Sequence, residues 1–386
     1  METGSIKKQH PHGLRTWIEI DTKAVDHNLS LVRGLMPERT QLMAVVKSNA
    51  YGHGLLDFSS YVISKGVPWI GVDSIVEATA IRKTETSVRM LILGYTLPEY
   101  IEEAAKGGIS LTVSTMETLK EIQAAEYPGI LKIHIKVDTG MYRQGFLPAD
   151  IPAAISELSN MKNIEVEGLY THFSDAKRVE GTEFSKEQRR SFDEVCGLFS
   201  AAGFTSMVHA NASPGLLRFG ASAADGLVRC GALLYGIWPS PDMKKEFGGS
   251  LPISPALSWK AIVTEIKMAP KGAAVGYGRS EALSRDSKLA ICPVGYWHGY
   301  HGTLASKGIV MIQGEQVKVV GKVSMDMLIL DCTNVSGVKA GDVVTLIDSD
   351  PDSPASAENV AENAGVSVHE LVTCLNSRIR RIYTSS

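Results

Sequence analysis

Leu42-Met-Ala-Val-Val-Lys-Ser-Asn-Ala-Tyr-Gly-His-Gly54 decides the reading of the first two thirds of the chain. Leu42 to Val46 is an unbroken apolar run, which reads as a strand buried on both faces, and a lysine stands where the run stops. Trp69-Ile-Gly-Val72, Met90-Leu-Ile-Leu93, Ser110-Leu-Thr-Val113, Lys132 to Val137, Ile164 to Tyr170 and Ser206 to His209 also read as buried strands. Helical patterns lie between them, for example Met116 to Glu126 and Ile151 to Asn160. Strand, helix, strand at this cadence predicts a parallel sheet with crossover helices. At least seven strand candidates precede Leu233-Leu-Tyr-Gly-Ile237, and eight repeats would close a (β/α)8 TIM-type barrel. A doubly wound open sheet is the rival, but no GxGxxG follows the first strand.

Composition shifts after the barrel pattern. Pro239 to Pro255 holds four prolines and a Gly-Gly pair and reads as a linker. Beyond it lie strand candidates at Ala261 to Met268, Leu289 to Val294, Gly308 to Ile312, Val317 to Val323, Met327 to Asp331 and Val343 to Ile347. Gln313-Gly314 between two of them reads as a hairpin turn. One helix closes the chain, with Ser367-Val-His-Glu370 as its capping box. The expected organisation is an N-terminal tail over residues 1–15, a barrel over 16–245, and a mostly-β C-terminal domain over 246–386. Trp17-Ile-Glu-Ile-Asp21 alternates ahead of the first helix. It suits either the barrel or the second domain's sheet, and in the latter place it would tie the domains together.

Of 386 residues, 44% are hydrophobic and 21% charged, with a net charge of -3, as in ordinary soluble proteins. That balance argues against a nucleic-acid partner and against polybasic membrane binding. Arg378 to Arg381 is short and reads as a solvated or interface face. Five cysteines, none at CxxC spacing, argue against a disulfide framework and a cysteine zinc site. The histidines lack HxxxH spacing, so no metal is expected. No apolar leader or membrane-spanning run is visible, and the expected location is the cytoplasm.

A lysine at the C-terminal end of a barrel strand, here Lys47, lies at the catalytic face of that fold. Desolvation lowers an amine's pKa and frees its lone pair, which suits a Schiff base with an aldehyde cofactor. Tyr51 can present a hydroxyl to a phosphate. The segment from Ala44 to Gly54 resembles the cofactor-lysine motif of alanine racemases, barrel-type pyridoxal 5'-phosphate enzymes. The resemblance continues in order from about Trp17 to Tyr383. It runs through Lys136-Val-Asp-Thr-Gly-Met-Tyr-Arg143, Leu169-Tyr-Thr-His-Phe173, Val208-His-Ala-Asn-Ala-Ser213 and Val228-Arg-Cys-Gly-Ala-Leu-Leu-Tyr-Gly236. In the second domain it includes Val275-Gly-Tyr-Gly-Arg279 and Gly321-Lys-Val-Ser-Met-Asp326.

The resemblance implies a racemase that converts L-alanine to D-alanine, a peptidoglycan precursor, with two bases on opposite faces of the α-carbon. Lys47 would hold the cofactor and serve one face, and Tyr277 the other. A free tyrosine is a poor base at neutral pH, so a partner must lower its pKa; Arg279 and His172 are both candidates. His172 would pack against the cofactor ring. Arg229 would face the pyridine nitrogen and, unable to give up its proton, would leave that nitrogen neutral, which favours racemisation over transamination. Tyr51, Ser213 and the amides at Gly231 and Ala232 would bind phosphate. Arg143 and the Met325 N–H would take the substrate carboxylate, with Tyr296 as a gate. Lys136 stands at the position that can be carbamylated, becoming an anion that orients Arg143. The implied assembly is a head-to-tail homodimer with shared active sites.

Departures from the family pattern bear on the substrate. His369 stands where the family usually has a tyrosine, and Trp297 and His298 replace alanine and aspartate. They leave serine or a broader small-amino-acid preference open and alter the expected access-channel electrostatics. A decarboxylase of this fold would need a cysteine-aspartate pattern that is missing here. A non-catalytic pyridoxal-phosphate-binding protein of this type would lack the second domain.

Overall fold

Gln41–Val45 is the first of eight parallel strands. The others are Trp69–Val72, Arg89–Ile92, Ile109–Val113, Leu131–Lys136, Ile164–Tyr170, Met207–His209 and Leu227–Cys230. The structure is a computed structural model and describes residues 13–222 and 224–385; most of the expected tail, residues 1–12, lies outside them. From the first to the seventh, each strand pairs with the next in sequence, and the first also pairs with the eighth. Gly226 N donates to Val208 O at 2.9 Å and Arg229 N to Asn211 O at 3.1 Å, and these isolated bonds beside the seventh and eighth strands leave the ring nearly closed. Helices fill the crossovers, and two of them begin on side-chain caps: Ser74 accepts from Glu77 N, and Thr115 from Thr118 N.

The barrel interior is only partly aliphatic. Met43, Trp69, Leu91 and Leu227 form one buried cluster, joined by Leu93 and Met207. His134, Glu167, Tyr170, His209 and Arg229 are buried as well. Two glycines make room. A Cβ on Gly71 would lie 2.9 Å from Met43 Sδ, and one on Gly168 would lie 2.2 Å from His134 Nδ1.

Two expectations need correction here. Leu233 to Ile237 is not a strand: Ala232–Tyr235 forms a 3-10 turn that ends at Gly236 with φ 72°, and the eighth strand is Leu227–Cys230. The turn is held inward by the Tyr235 hydroxyl, which donates to Val45 O at 2.9 Å. The proline-rich segment is not all linker either. Ser240 caps a helix, Pro241–Phe247, whose proline stands at its start, where no N–H is needed.

The remaining strands make a nine-stranded sheet and a two-stranded ribbon. In sheet order the nine are Glu265–Ala269, Ser287–Cys292, Leu328–Asp331, Glu315–Val319, Ile309–Ile312, Val343–Ile347, Leu257–Ile262, Thr16–Asp21 and Arg381–Thr384. Thr16–Asp21 runs antiparallel to Leu257–Ile262 and parallel to Arg381–Thr384. The described residues up to 25, residues 51–54 and the described residues from 254 onward accordingly form one compact unit. Residues 26–50 and 55–253 form the other.

Gln313 and Gly314 both have positive φ, 53° and 82°, and join Ile312 to Glu315 as a two-residue hairpin turn. The single strand expected over Ala261 to Met268 is two, because the chain changes partners at Val263 and Thr264, which donate to Asp342 O and Ile291 O. The C-terminal region carries two helices, Ala357–Ala364 and Val368–Thr373, and ends in a strand. Ser367 caps the second helix by accepting from Glu370 N at 3.1 Å. Arg381 is no solvated basic face: its guanidinium donates to Gly52 O, Asn376 O and Ile379 O.

Candidate active site

Lys47 follows the first barrel strand, and the four residues after it are left-handed. Ser48, Asn49, Ala50 and Tyr51 have φ of 56°, 57°, 52° and 52°. L-residues avoid this region by roughly 1–2 kcal/mol each, so neighbours must hold the turn. Ala50 N donates to Val46 O at 2.7 Å. Glu77 Oε1 accepts from Ser48 N at 2.7 Å and Asn49 N at 3.4 Å, while its Oε2 accepts from Asp73 N at 2.9 Å. Asn49 Oδ1 accepts from Leu55 N at 2.9 Å. Lys47 itself is 40% exposed, with Nζ 3.4 Å from Asp73 Oδ1. An ion pair this open adds little stability and leaves the amine accessible.

Lys136 ends the fifth strand and is 7% exposed. Its Nζ donates to Gln144 Oε1 at 2.9 Å and lies 5.4 Å from the Tyr170 ring centroid. Burial, then the charges of Arg143, Arg229 and Lys47, push it down to about 7 against the pull of Asp138. His172 follows the sixth strand. Burial, with the charges of Arg229, Arg143, Lys136 and Lys47, drives it down to about 3, so its imidazole is neutral at physiological pH. Burial disfavours the Asp138 carboxylate, but backbone N–H donors from Gly140, Met141, Tyr142 and Arg143 hold it below the usual range. They also shape the loop that presents the exposed Arg143.

Arg229 is 3% exposed, and both its Nη groups are engaged inside the barrel. Nη1 donates to His209 Nδ1 at 2.8 Å and His209 O at 2.7 Å; Nη2 donates to Thr171 O at 2.7 Å and Ala210 O at 3.0 Å. Burial lowers it to about 10, so it stays charged near neutrality. Ser213 Oγ accepts from Gly231 N at 3.3 Å and lies 3.4 Å from Cys230 Sγ. Gly231 and Ala232, both small, follow the eighth strand directly.

Lys47, Lys136, Arg143, His172, Ser213, Arg229, Gly231 and Ala232 thus share the C-terminal face of the barrel. Sequence reasoning passed over His134, Glu167, Tyr170 and His209. A signal existed for the first, since His134 and Lys136 stand two apart on one strand and share a face.

Tyr51, Tyr277, Tyr296 and Met325 belong to the β-rich unit. Tyr277 is 71% exposed on a turn whose flanking Gly276 and Gly278 have φ of 74° and 72°. Tyr296 and Met325 are also exposed, and their segments meet: Tyr296 N donates to Ser324 O, and Trp297 N to Met325 O. His298 is buried, with Nδ1 accepting from Gly295 N at 3.2 Å. It caps this turn from within, and only Trp297 of the two departures is exposed. The Tyr51 and His369 rings lie 5.9 Å apart, edge to face. A Cβ on Gly52 would lie 2.0 Å from Val372 O, so the helix carrying His369 rests directly on this segment.

Among the described residues no cluster of histidine, cysteine or carboxylate side chains suits a metal, and no helix is long and apolar enough to cross a membrane. The family profile for the alanine racemase N-terminal domain matches residues 20–239, and that for the alanine racemase C-terminal domain matches residues 256–383. An alanine racemase of Methanococcus maripaludis is 35% identical over 371 residues, covering 95% of this chain and 98% of its own. One from Halothermothrix orenii is 32% identical, covering 95% and 96%. Among solved structures, alanine racemase of Clostridium difficile 630 superimposes with a TM-score of 0.88 at 28% identity, covering 96% of each chain. That of Bacillus anthracis with bound L-Ala-P gives a TM-score of 0.88 at 30% identity, covering 96% and 95%. With both domain profiles matched in order over one barrel and one β-rich unit, the chain belongs to the alanine racemase family.

Proposed function

We propose that this chain, an amino-acid racemase, interconverts L- and D-alanine by a two-base route with pyridoxal 5'-phosphate as cofactor. The observation that carries the reading is the cationic barrel mouth: Lys47, Lys136, Arg143 and Arg229 converge there, and their charges add to burial in holding His172 down to about 3. Such a site fits a ligand bearing phosphate and a phenolic oxygen. Ser213, Gly231, Ala232 and Tyr51 would take the phosphate, His172 one face of the ring, Arg229 its nitrogen side, and Lys47 the covalent link. When bound, the cofactor supplies the electron sink that lets a proton leave the α-carbon.

The chain's own residues do the rest. Lys47 Nζ holds or releases the proton on one face, and the Tyr277 hydroxyl does so on the other. Arg229 keeps its proton and would donate a hydrogen bond toward the ring nitrogen, which would leave that nitrogen uncharged and favour return of the proton to carbon. Arg143 and the Met325 N–H orient the substrate carboxylate, with Tyr296 as gate. A carbamate on Lys136 would replace a repelled cation with an anion beside Arg143. The proposed assembly is a head-to-tail homodimer, each site taking Lys47 from one subunit and Tyr277 from the other. The exposure of Tyr277, Tyr296, Trp297 and Met325 on the β-rich unit supports it. Five free cysteines accord with a reducing compartment, and the proposed location is the cytoplasm, where D-alanine would feed a peptidoglycan-type polymer.

Incubating the purified protein with L-alanine and with L-serine separately, followed by chiral analysis, tests the reading. Inversion of alanine is expected; inversion of neither amino acid would sink it. Lys47→Ala should also abolish the yellow colour of the loaded protein.

A further inference from the structure

Below Arg229 the barrel interior holds a continuous file of buried polar groups. His209 accepts from Arg229 Nη1 at Nδ1, 2.8 Å away, and its Nε2 lies 2.8 Å from His134 Nδ1. His134 Nε2 lies 3.2 Å from Glu167 Oε2. That oxygen also accepts from Ser110 Oγ at 2.5 Å, and Glu167 Oε1 accepts from Arg89 Nη2 at 2.8 Å and Lys132 Nζ at 3.1 Å. All four side chains of the file are 6% exposed or less.

The proton positions along this file are determined by its two ends. A guanidinium only donates, so His209 Nδ1 must accept and its ring proton sits on Nε2. That proton faces His134 Nδ1, which therefore accepts, so the His134 proton sits on Nε2 and is donated to Glu167. An ionised carboxylate only accepts, and its other partners are all donors. Every contact is satisfied in one direction and in no other. We infer that Glu167 and His134 are positioning residues for the racemisation, fixing through His209 the tautomers that hold the Arg229 guanidinium in one orientation. The inference rests on the role given to Arg229 above.

Plain satisfaction of buried groups does not account for the arrangement. Apolar side chains fill a barrel interior well, as Met43, Trp69, Leu91 and Leu227 do here, and replacing a buried ionic network by them is often neutral or stabilising. The file is also built into its surroundings. Gly168 leaves the space that the His134 ring occupies, since a Cβ there would lie 2.2 Å from its Nδ1. Tyr170 stacks on His209 at 4.8 Å and 8°, fixing that ring's plane. Burial lowers both imidazoles, which keeps them neutral and hence directional, while hydrogen bonds from His134 and Ser110 hold the Glu167 carboxyl well below its usual range against the effect of burial.

The test uses the full chain labelled with nitrogen-15 at histidine, with and without pyridoxal phosphate. Imidazole resonances are assigned by His134→Asn and His209→Asn. Both rings should be neutral with the proton on Nε2; a proton on Nδ1, or a doubly protonated ring, overturns the inference. In Glu167→Gln the carboxamide NH2 can donate to His134 Nε2, which reverses both tautomers and sets His209 Nδ1–H against Arg229. The expected result is a kcat lower by on the order of tenfold to a hundredfold, with KM within about twofold. Glu167→Asp, which keeps the acceptor, should recover most of the loss. Unchanged kcat in Glu167→Gln overturns the inference whatever its tautomers. Should that variant fail to fold, Gly168→Ala, which displaces the His134 ring, must lower kcat in the same way. Failure to bind pyridoxal phosphate would count against the proposed function, while the tautomers of the unloaded protein still decide the file.

Discussion

Replacing Lys136 by methionine should flatten a pH dependence of stability that the native chain owes to this one amine. In the folded protein Lys136 is pushed down to about 7, against an ordinary value of 10.5. Between those values the unfolded chain binds a proton that the folded chain does not. Stability therefore rises with pH across this window, by about 1.4 kcal/mol per unit. The penalty is complete below pH 7, where it approaches about 5 kcal/mol, and is gone above 10.5. Allowing for half-protonation at pH 7, the rise from pH 7 to pH 9 is about 2 kcal/mol. Urea unfolding of cofactor-free protein in bicarbonate-free buffer, at each half unit, measures it. The Lys136→Met variant leaves Gln144 Oε1 without its donor, but that cost does not vary with pH and drops out of the slope. Adding bicarbonate should shrink the native slope as the neutral Nζ attacks carbon dioxide, loses a proton and becomes a carbamate. A native profile with the same slope as Lys136→Met over pH 7–9 would refute the account of the cationic mouth.

Other consequences are open to measurement. His172 is already neutral above pH 5, so His172→Gln should leave the acid limb of the kcat/KM profile at the same pH; a displaced limb would show that this imidazole titrates in the working range. Arg229→Met strands His209 Nδ1 and the carbonyls of His209, Thr171 and Ala210, and should cost on the order of 3–5 kcal/mol in urea unfolding. Gly52→Ala places a Cβ 2.0 Å from Val372 O at a φ of 82°, and a fall of at least about 2 kcal/mol is expected; a thermal midpoint equal to the native one would speak against the packing of the C-terminal helix on this segment.

Much of the fold and part of the site could be read from local pattern. Trp69–Val72 and Ile164–Tyr170 are strands with the expected bounds; the first is an unbroken apolar run, as suits a parallel-sheet strand covered on both faces, and the second carries Glu165 and Glu167 among apolar residues. Ser367 and Glu370 announced a helix start, and Gln313-Gly314 a hairpin, since caps and tight turns are satisfied by neighbours in sequence. Lys47 and Arg229 stand at strand ends, where a barrel keeps its chemistry. Leu233 to Ile237 misled because its apolar character serves a turn packed inward, not a strand.

What the amino-acid order alone determined was periodicity, capping and turn chemistry, together with the residue types a cationic mouth requires. Tertiary structure decided which partner Thr16–Asp21 takes, since strands on its two sides come from residues more than two hundred positions away. It also decided the left-handed turn at Ser48–Tyr51, which no local preference favours and which Glu77 and Asn49 hold in place. The same is true of the buried file from Arg229 to Glu167. Hydrogen bonds and fields act through space, and a chain read residue by residue does not show which side chains a barrel will bring within hydrogen-bond distance of one another.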